Sequence, residues 1–404
     1  MQYTQTAITG AAWLTGVKVF TKALSVAKYF VVAKIISPSE FGLAGVAFLI
    51  LGLVDTCTET GLIQAFIQVP EDEHKYAKTV WATLALRGIV LALLMFTTSN
   101  FISRIYSPGT AHLINLASLI LLIKGLANPA AMLFRKYGNY QKEFIFQTLP
   151  SFVDSLSTIG FSFIIPTAAA LILGTLAGAL TATLISFMLS KFFVSKFSFL
   201  YLKSLYTYGR WVTVSGVLSY FTDRGDDLVV GKLLGPSNLG LYQMAYRISN
   251  SPTTEGAGLI YQIVFPLFTR LQNEPVRLKR GVYKTLAVNL GLSLSLASAI
   301  FLLLPAAIPI ILTPAWTPVI PIVNIMLVFG VVRSHISVGM AYFDAVGLPS
   351  IATITNFVKL LFLLILVIPL TWAHGLTGAA WSVVLSQLVI VPWFFYKLFR
   401  SFPK

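Results

Sequence analysis

An internal repeat organises this chain of 404 residues. Residues 30–43 read FVVAKIISPSEFGL, and residues 228–241 read LVVGKLLGPSNLGL, at an offset of 198 positions. Near the end of each half, LAGA at residues 176–179 corresponds to LTGA at residues 376–379. Halves that agree at both ends predict one helical bundle built twice, which is how many transporters are constructed.

The composition excludes a soluble protein. Charged residues make up 11% of the chain and hydrophobic residues 56%, with a mean hydropathy of +0.81. Soluble domains contain about a quarter charged residues. Apolar runs of about 20 residues, the length that crosses a bilayer, recur from end to end. The chain is therefore predicted to be an all-α polytopic membrane protein.

About twelve transmembrane helices are predicted, in two pseudo-symmetric six-helix lobes at residues 1–195 and 196–404. The short turns SPS and GPS, at residues 37–39 and 235–237, predict a helical hairpin at the same place in each lobe. Proline suits these turns because it fixes φ and begins a helix without wasting an amide donor. The predicted spans lie near 10–35, 40–68, 78–104, 110–134, 143–165, 168–190, 207–234, 238–264, 282–304, 318–343, 350–371 and 376–397.

The formal charge of +15 follows from the loops. Most lysines and arginines fall in loops on one side of the predicted bundle, and the positive-inside rule places those loops and both termini in the cytoplasm. This distribution explains the charge without a nucleic-acid partner.

A polar stripe follows predicted helix one. Lys18, Lys22, Ser25 and Tyr29 share one face, and Lys28 lies beside them. Ionisable groups at membrane depth cost several kcal/mol unless they face a cavity or a partner. The three lysines are therefore predicted to line a water-filled cavity that receives an anion. Alternatively, Lys18 reaches the cytoplasmic surface and Lys22 pairs with an acid.

The corresponding stretch of predicted helix seven is mostly acidic. The shared backbone plan with a reversed charge favours a role in coupling or gating. The alternative is a salt-bridged cluster near the outer end of the helix that serves structure only. The residues are Asp223, Arg224, Asp226 and Asp227.

Two arginines are predicted at mid-membrane, Arg247 in helix eight and Arg333 in helix ten. An arginine cannot shed its proton there, and its planar fork binds two phosphate oxygens together. Both are predicted substrate contacts, with internal ion pairs as the alternative. His335 lies at a similar depth and is interpreted as a satisfied polar residue rather than a proton relay.

Three carboxylates are candidates for coupling transport to a gradient, Asp55 and Glu59 in helix two and Glu255 in helix eight. Buried carboxylates can take a proton or Na⁺. They could equally neutralise Lys18 or Lys22. Four further buried charges are expected to pair with neighbouring helices: Arg87, Lys124, Asp154 and Lys359.

No catalytic centre is predicted. The sequence lacks the G-x-x-x-x-G-K-[ST] loop that holds ATP. The four histidines are scattered and Cys57 has no thiol companion, so neither a metal site nor another cofactor is expected beyond H⁺ or Na⁺ coupling. Gly174-x-x-x-Gly178 predicts close helix packing.

Residues 226–247, DDLVVGKLLGPSNLGLYQMAYR, and the first-half copy at 33–43, AKIISPSEFGL, resemble the polysaccharide transporter family. These are Wzx-type flippases of the multidrug/oligosaccharidyl-lipid/polysaccharide superfamily. The resemblance implies two lobes in a V around a cationic central cavity, with alternating access. Its implied cargo is an undecaprenyl-pyrophosphate-linked repeat unit, moved across the bacterial inner membrane for O-antigen or exopolysaccharide assembly.

The resemblance also implies partners and rivals. Membrane lipids, a polysaccharide polymerase and a chain-length regulator are the expected partners. One rival is a cation-coupled multidrug exporter of the same superfamily, which would want acids rather than lysines on helix one. A second is a membrane glycosyltransferase or polymerase, which usually needs a larger extramembrane loop than any in this chain.

Overall fold

The computed structural model describes residues 2–68, 74–134, 136–191 and 197–402. Within these ranges the side chains of residues 2–15, 18, 19, 74, 199–212, 251 and 255 are not described. The described backbone contains helices and turns and no strand, as predicted for an all-α protein.

The described residues form twelve α-helices with three short 3₁₀ turns. The first seven helices are α1 Gln2–Ala33, α2 Pro38–Cys57, α3 Leu62–Gln68, α4 His74–Tyr106, α5 Ala111–Gly125, α6 Tyr140–Ile164 and α7 Ala168–Leu189. The others are α8 Phe199–Arg270, α9 Pro275–Ile311, α10 Val319–Ala345, α11 Ser350–Leu388 and α12 Val391–Arg400. The 3₁₀ turns are Pro108–Thr110, Pro129–Leu133 and Pro314–Trp316.

Seven segments of the described chain are long and apolar enough to cross a membrane, which makes this a multi-pass membrane protein. The count of twelve crossings stays a prediction, because the other predicted spans lie in α1, α6 and α8, whose buried charges are described below. The seven segments are Pro38–Cys57, Lys75–Tyr106, Pro108–Gly125, Ala168–Leu189, Pro275–Ile311, Val319–Ala345 and Ser350–Arg400.

Two compact units make up the chain, Met1–Tyr220 and Phe221–Lys404. The division falls inside α8, so this helix begins in one unit and ends in the other. The predicted lobe boundary at residue 195 precedes α8 and stays a prediction.

Both predicted hairpin turns are confirmed. Ser37 caps the N-terminus of α2 by accepting from the Glu40 amide, and Pro38 is its first residue. In the second half, Gly235 has φ 82° and interrupts α8. The Tyr242 hydroxyl donates to the Asp226 carboxylate at 2.7 Å. In an uninterrupted helix these two residues would be about 24 Å apart, so the chain reverses at Gly235.

Three predicted helices are wrong as continuous spans. The span 376–397 is interrupted between α11 and α12, and the other two lie in the first unit. The span 40–68 is divided into α2 and α3 by a turn that contains Gly61 at φ 61°. The span 110–134 ends as an α-helix at Gly125, because Asn128 precedes Pro129 and a residue before proline is driven out of the helical region. These two breaks lie against the same cavity, described below.

The predicted close approach at Gly174 and Gly178 is confirmed in the contact of α7 with α6. A Cβ on Gly174 would lie 1.9 Å from Thr158 Oγ1. Gly178 likewise packs on α6, against Asp154 and Pro150, and its counterpart in the repeat, Gly378, packs against the Leu370 carbonyl. In both halves, therefore, this glycine packs on the preceding helical segment.

An aromatic core fills one end of the second unit. Phe394 and Leu398 of α12 are fully buried against Tyr342 and Phe343 of α10. The Tyr342 hydroxyl donates to the Ser401 carbonyl at 3.0 Å, which satisfies the polar end of a buried ring.

We expect Gly178→Val to destabilise the first unit by about 1–3 kcal/mol, the usual cost of overpacking. Its Cβ would lie 2.8 Å from the Asp154 Cβ and 3.0 Å from the Pro150 carbonyl oxygen. Thermal unfolding in detergent measures the change. Gly160→Val is the matched control on α6, since nothing lies within 4 Å of its Cβ. Equal melting temperatures for the two variants would contradict the packing described here.

Candidate functional site

A buried ion pair joins α1 to α6 in the first unit. The Lys28 ammonium lies 2.7 Å from the Asp154 carboxylate, and Lys28 is only 4% exposed. Asp154 also accepts from the hydroxyls of Thr158 and Thr175. Asp154 thus has the neighbouring-helix partner expected of it. The predicted contact of Lys28 with substrate would require this pair to open.

Arg87 of α4 forms hydrogen bonds with the C-terminal end of α2. Its guanidinium donates to the Asp55 carboxylate at 2.7 Å and to the Thr58 carbonyl at 3.0 Å. It also donates to the Asp55 carbonyl at 2.5 Å, so it satisfies carbonyls that the end of α2 leaves without helical partners. The sequence offered Lys18 or Lys22 as partners for Asp55. In the structure Asp55 instead forms an ion pair with Arg87, whose guanidinium lies at the C-terminal end of α2.

A cavity of about 400 Å³ lies against this break, entirely within the first unit. Its walls are the end of α2, the start of α3, α4, the end of α5 and the turn at Pro129, with small contributions from α6 and α7. The predicted coupling residues Asp55 and Glu59 both line it, as do Arg87 and Lys124. Glu59 accepts a hydrogen bond from the Gln64 side-chain amide at 3.0 Å.

The second unit contains a separate charged cluster where α8, α10 and α11 meet. Arg333 donates to the Tyr246 hydroxyl at 2.6 Å and to the Asp223 carboxylate at 3.1 Å. Lys359 of α11 is buried, with its ammonium 4.0 Å from the same Asp223 carboxylate. Both cations lie within 6 Å of the Phe329 ring centroid, at 5.7 Å for Arg333 and 5.4 Å for Lys359, a favourable cation–π arrangement.

Two adjacent acids continue this cluster along α8. Asp226 and Asp227 are both buried. Arg224 pairs with Asp227 at 3.1 Å, and Tyr242 donates to Asp226. Arg247 is partly exposed and close enough to Asp227 to interact electrostatically. The sequence predicted the acidic stretch of α8 and the two arginines as separate sets of site residues. The structure places them in one cluster: Asp223, Arg224, Asp226, Asp227, Arg247 and Arg333.

For three predicted site residues, the structure does not test the predicted roles. The side chains of Lys18 and Glu255 lie outside the described residues, and Lys22 is half-buried on α1. Their roles stay predictions. His335 is less well satisfied than expected. Its Nδ1 lies 3.1 Å from the Val331 carbonyl, but its buried Nε2 has no partner among the described groups.

Three partners in the second cluster were missed as site residues: Tyr242, Tyr246 and Lys359. The tyrosines follow the GPS turn with a spacing of four, which places both hydroxyls on one face of the returning helix. Because a tight turn brings this helix back alongside the acids that precede it, the spacing could have identified both tyrosines as their partners. Within the described chain, no group of three or more His, Cys, Asp or Glu residues could hold a metal ion.

The chain matches one protein family over most of its length. A family model described as "Polysaccharide biosynthesis protein" matches residues 31–321, most of the chain. The chain belongs to this family. The predicted resemblance to polysaccharide transporters is thereby confirmed.

Curated relatives agree with this membership. The chain is 26% identical to the lipopolysaccharide biosynthesis protein WzxC of Escherichia coli (strain K12), over 83% of this chain and 69% of WzxC. It is 21% identical to the succinoglycan biosynthesis transport protein ExoT of Rhizobium meliloti (strain 1021), over 85% of this chain and 70% of ExoT. Of these two relatives, ExoT is named as a transport protein.

Solved structures share the fold. The lipid II flippase MurJ, in an inward closed conformation, aligns with 96% of this chain and 88% of its own, with a TM-score of 0.79 and 14% identity. An inward-facing MATE multidrug resistance transporter of the MOP superfamily aligns with 94% of this chain and 95% of its own, with a TM-score of 0.72 and 13% identity. At these identities the likeness establishes the shared fold.

We expect Lys28→Met to destabilise the first unit by about 3 kcal/mol or more, because it leaves the Asp154 carboxylate uncompensated in a buried site. The double variant Lys28→Met with Asp154→Leu removes both charges and should recover most of that loss. Thermal unfolding of the wild type, both single variants and the double variant measures the coupling. Additive single effects would show that the pair contributes nothing.

Proposed function

We propose that this protein is a flippase that moves an undecaprenyl-pyrophosphate-linked oligosaccharide repeat unit across the bacterial inner membrane. The repeat unit would serve O-antigen or exopolysaccharide assembly, and the mechanism would be alternating access. The family match over residues 31–321 carries this proposal. The names of WzxC and ExoT support a role in supplying surface polysaccharide.

The charged cluster of the second unit supports an anionic cargo. A guanidinium has five N–H donors in a planar fork. Two bonds in the described structure hold Arg333, one to Tyr246 and one to Asp223, while its side chain is 32% exposed. Arg333 is therefore oriented by the protein and still open on one side. A pyrophosphate is the part of the proposed cargo that such a group would bind.

Asp223 gives this arrangement a way to respond to cargo. Its carboxylate interacts with Arg333 at 3.1 Å and with Lys359 at 4.0 Å, and it is 46% exposed. A phosphate that approaches the two cations competes with Asp223 for them. The empty and loaded proteins would then differ in their internal ion pairs, and a cargo that changes those pairs shifts the balance between conformations.

The remaining assignments extend this mechanism. Lys18, Lys22 and Arg247 are proposed as further head-group contacts. The carboxylates Asp55, Glu59, Asp226, Asp227 and Glu255 are proposed sites for H⁺ or Na⁺ coupling or gating. Both termini would be cytoplasmic, and a polymerase and a chain-length regulator would act on the delivered repeat units.

We expect Arg333→Gln to lower the flipping rate at least about tenfold, because one charge-assisted hydrogen bond is worth roughly 1.5–3 kcal/mol. Arg333→Lys keeps the charge but cannot reproduce the planar fork, so its flipping rate should lie between those of the wild type and Arg333→Gln. Transfer of lipid-linked repeat units in proteoliposomes measures the rate. Arg277→Gln is the control, since Arg277 is 73% exposed in a surface pair. An Arg333→Gln protein that flips at the control rate would exclude this arginine from cargo binding.

The double substitution Lys18→Ala with Lys22→Ala tests the stripe of helix one. We expect surface polysaccharide to be lost at normal protein levels, with lipid-linked repeats accumulating on the cytoplasmic leaflet, because the cavity would have lost two positive charges. Lys34→Ala, at an exposed lysine in the turn after α1, is the matched control. Unchanged flipping would remove both lysines from the mechanism. Export of cationic dyes instead would favour the drug-exporter alternative.

A further inference from the structure

We propose that the cavity at the break between α2 and α3 binds a phosphoethanolamine group, with Glu59 and Gln64 receiving its ammonium and Lys124 its phosphate. The inference does not depend on the identity of the cargo, and it replaces the coupling role of Glu59 with a role in holding this ligand. All the groups that carry it belong to the first unit.

Two interrupted helices build this cavity. α2 ends at Cys57, and α5 ends at Gly125 before the turn at Pro129. α4 and α5 touch through their backbones beside it, since a Cβ on Gly88 would lie 2.7 Å from the Leu121 carbonyl oxygen. The space of about 400 Å³ is within the range of small-molecule sites, about 300–1,000 Å³.

Some polar groups of the lining are committed to the protein itself. Arg87 and Asp55 bind one another at the helix break. Asn128 donates to the Ser190 hydroxyl at 3.0 Å and receives a hydrogen bond from the Ala130 amide at 3.1 Å. These groups shape the walls of the cavity and already have hydrogen-bond partners within the protein.

Three polar groups of the same lining remain open. The expectation that Lys124 is buried and paired with a neighbouring helix is wrong, because its side chain is exposed and makes no hydrogen bond or ion pair in the part of the chain that the structure describes. The Glu59 carboxylate accepts one hydrogen bond, from Gln64 Nε2, so the Gln64 amide oxygen points away from that carboxylate. That atom, Gln64 Oε1, is buried and has no hydrogen-bond partner. A buried acceptor left without a donor costs about 1–3 kcal/mol.

The charges of these groups specify the ligand. Glu59 and Lys124 line one cavity yet form no ion pair within 4.0 Å of each other in the described structure. A simple cation would be repelled by Lys124, and a simple anion by Glu59. A ligand that has one positive and one negative group can pair with both the Glu59 carboxylate and the Lys124 ammonium. The Gln64 Oε1 atom, which has no partner, can accept a hydrogen bond from a primary ammonium, whereas a quaternary ammonium has no N–H to donate.

The test compares two lipids that differ in those N–H donors. The purified full chain is equilibrated with phosphatidylethanolamine or with phosphatidylcholine of identical acyl chains, and the lipid retained per protein is measured by native mass spectrometry. We expect at least tenfold preference for phosphatidylethanolamine. Equal retention of the two lipids by the wild-type protein would overturn the proposal without reference to any variant.

Variants locate the preference in the cavity. Glu59→Gln and Lys124→Gln should each reduce it about tenfold, whereas Glu274→Gln and Lys34→Gln, at exposed positions, should leave it unchanged. Preference retained in both cavity variants would also overturn the proposal. Free phosphoethanolamine distinguishes the sources: displacement of the lipid shows that the head group suffices, and retention against it identifies the whole lipid as the ligand.

Discussion

The cost of placing charge in an apolar medium governs this structure. An ion at the bilayer centre costs several kcal/mol unless water or a partner receives it. Each buried cation described here meets that requirement differently. Lys28 is enclosed with Asp154. Arg87 spreads its donors over Asp55 and the open end of α2. Arg333 and Lys359 share one carboxylate, Asp223, which is itself partly exposed.

These differences separate structural pairs from pairs that can exchange. Lys28 is almost fully buried and Asp154 is 23% exposed, and two threonine hydroxyls donate to the Asp154 carboxylate. Opening this pair would therefore leave the Lys28 ammonium buried without a counter-charge. Asp223 has two cations and an exposed face, so another anion can replace it without leaving either cation unpaired. This asymmetry is the reason for placing cargo recognition at Arg333 rather than at Lys28.

Local signals in the sequence predicted much of the fold. The SPS and GPS turns, and the glycine at 178, depend on backbone geometry that a few adjacent residues determine. The break after α2 was missed although Gly61, with φ 61°, marks it locally. The contact that satisfies its open carbonyls is not local, since Arg87 binds Thr58 from 29 positions along the chain. The same holds for the site. The acids of α8 were identified from their place in a predicted transmembrane helix and its repeat. Arg333, however, reaches Asp223 across 110 positions, and no sequence periodicity predicts such a pairing.

The central claim is that the charge of the cargo is what the protein recognises. The most direct measurement uses purified protein in proteoliposomes with two synthetic lipids that carry the same oligosaccharide on the same polyprenol. One has the pyrophosphate link and the other an uncharged glycosidic link. The account predicts translocation of the pyrophosphate form at least about tenfold faster, equivalent to about 1.4 kcal/mol. Equal rates for the two lipids, or faster movement of the uncharged one, would contradict it.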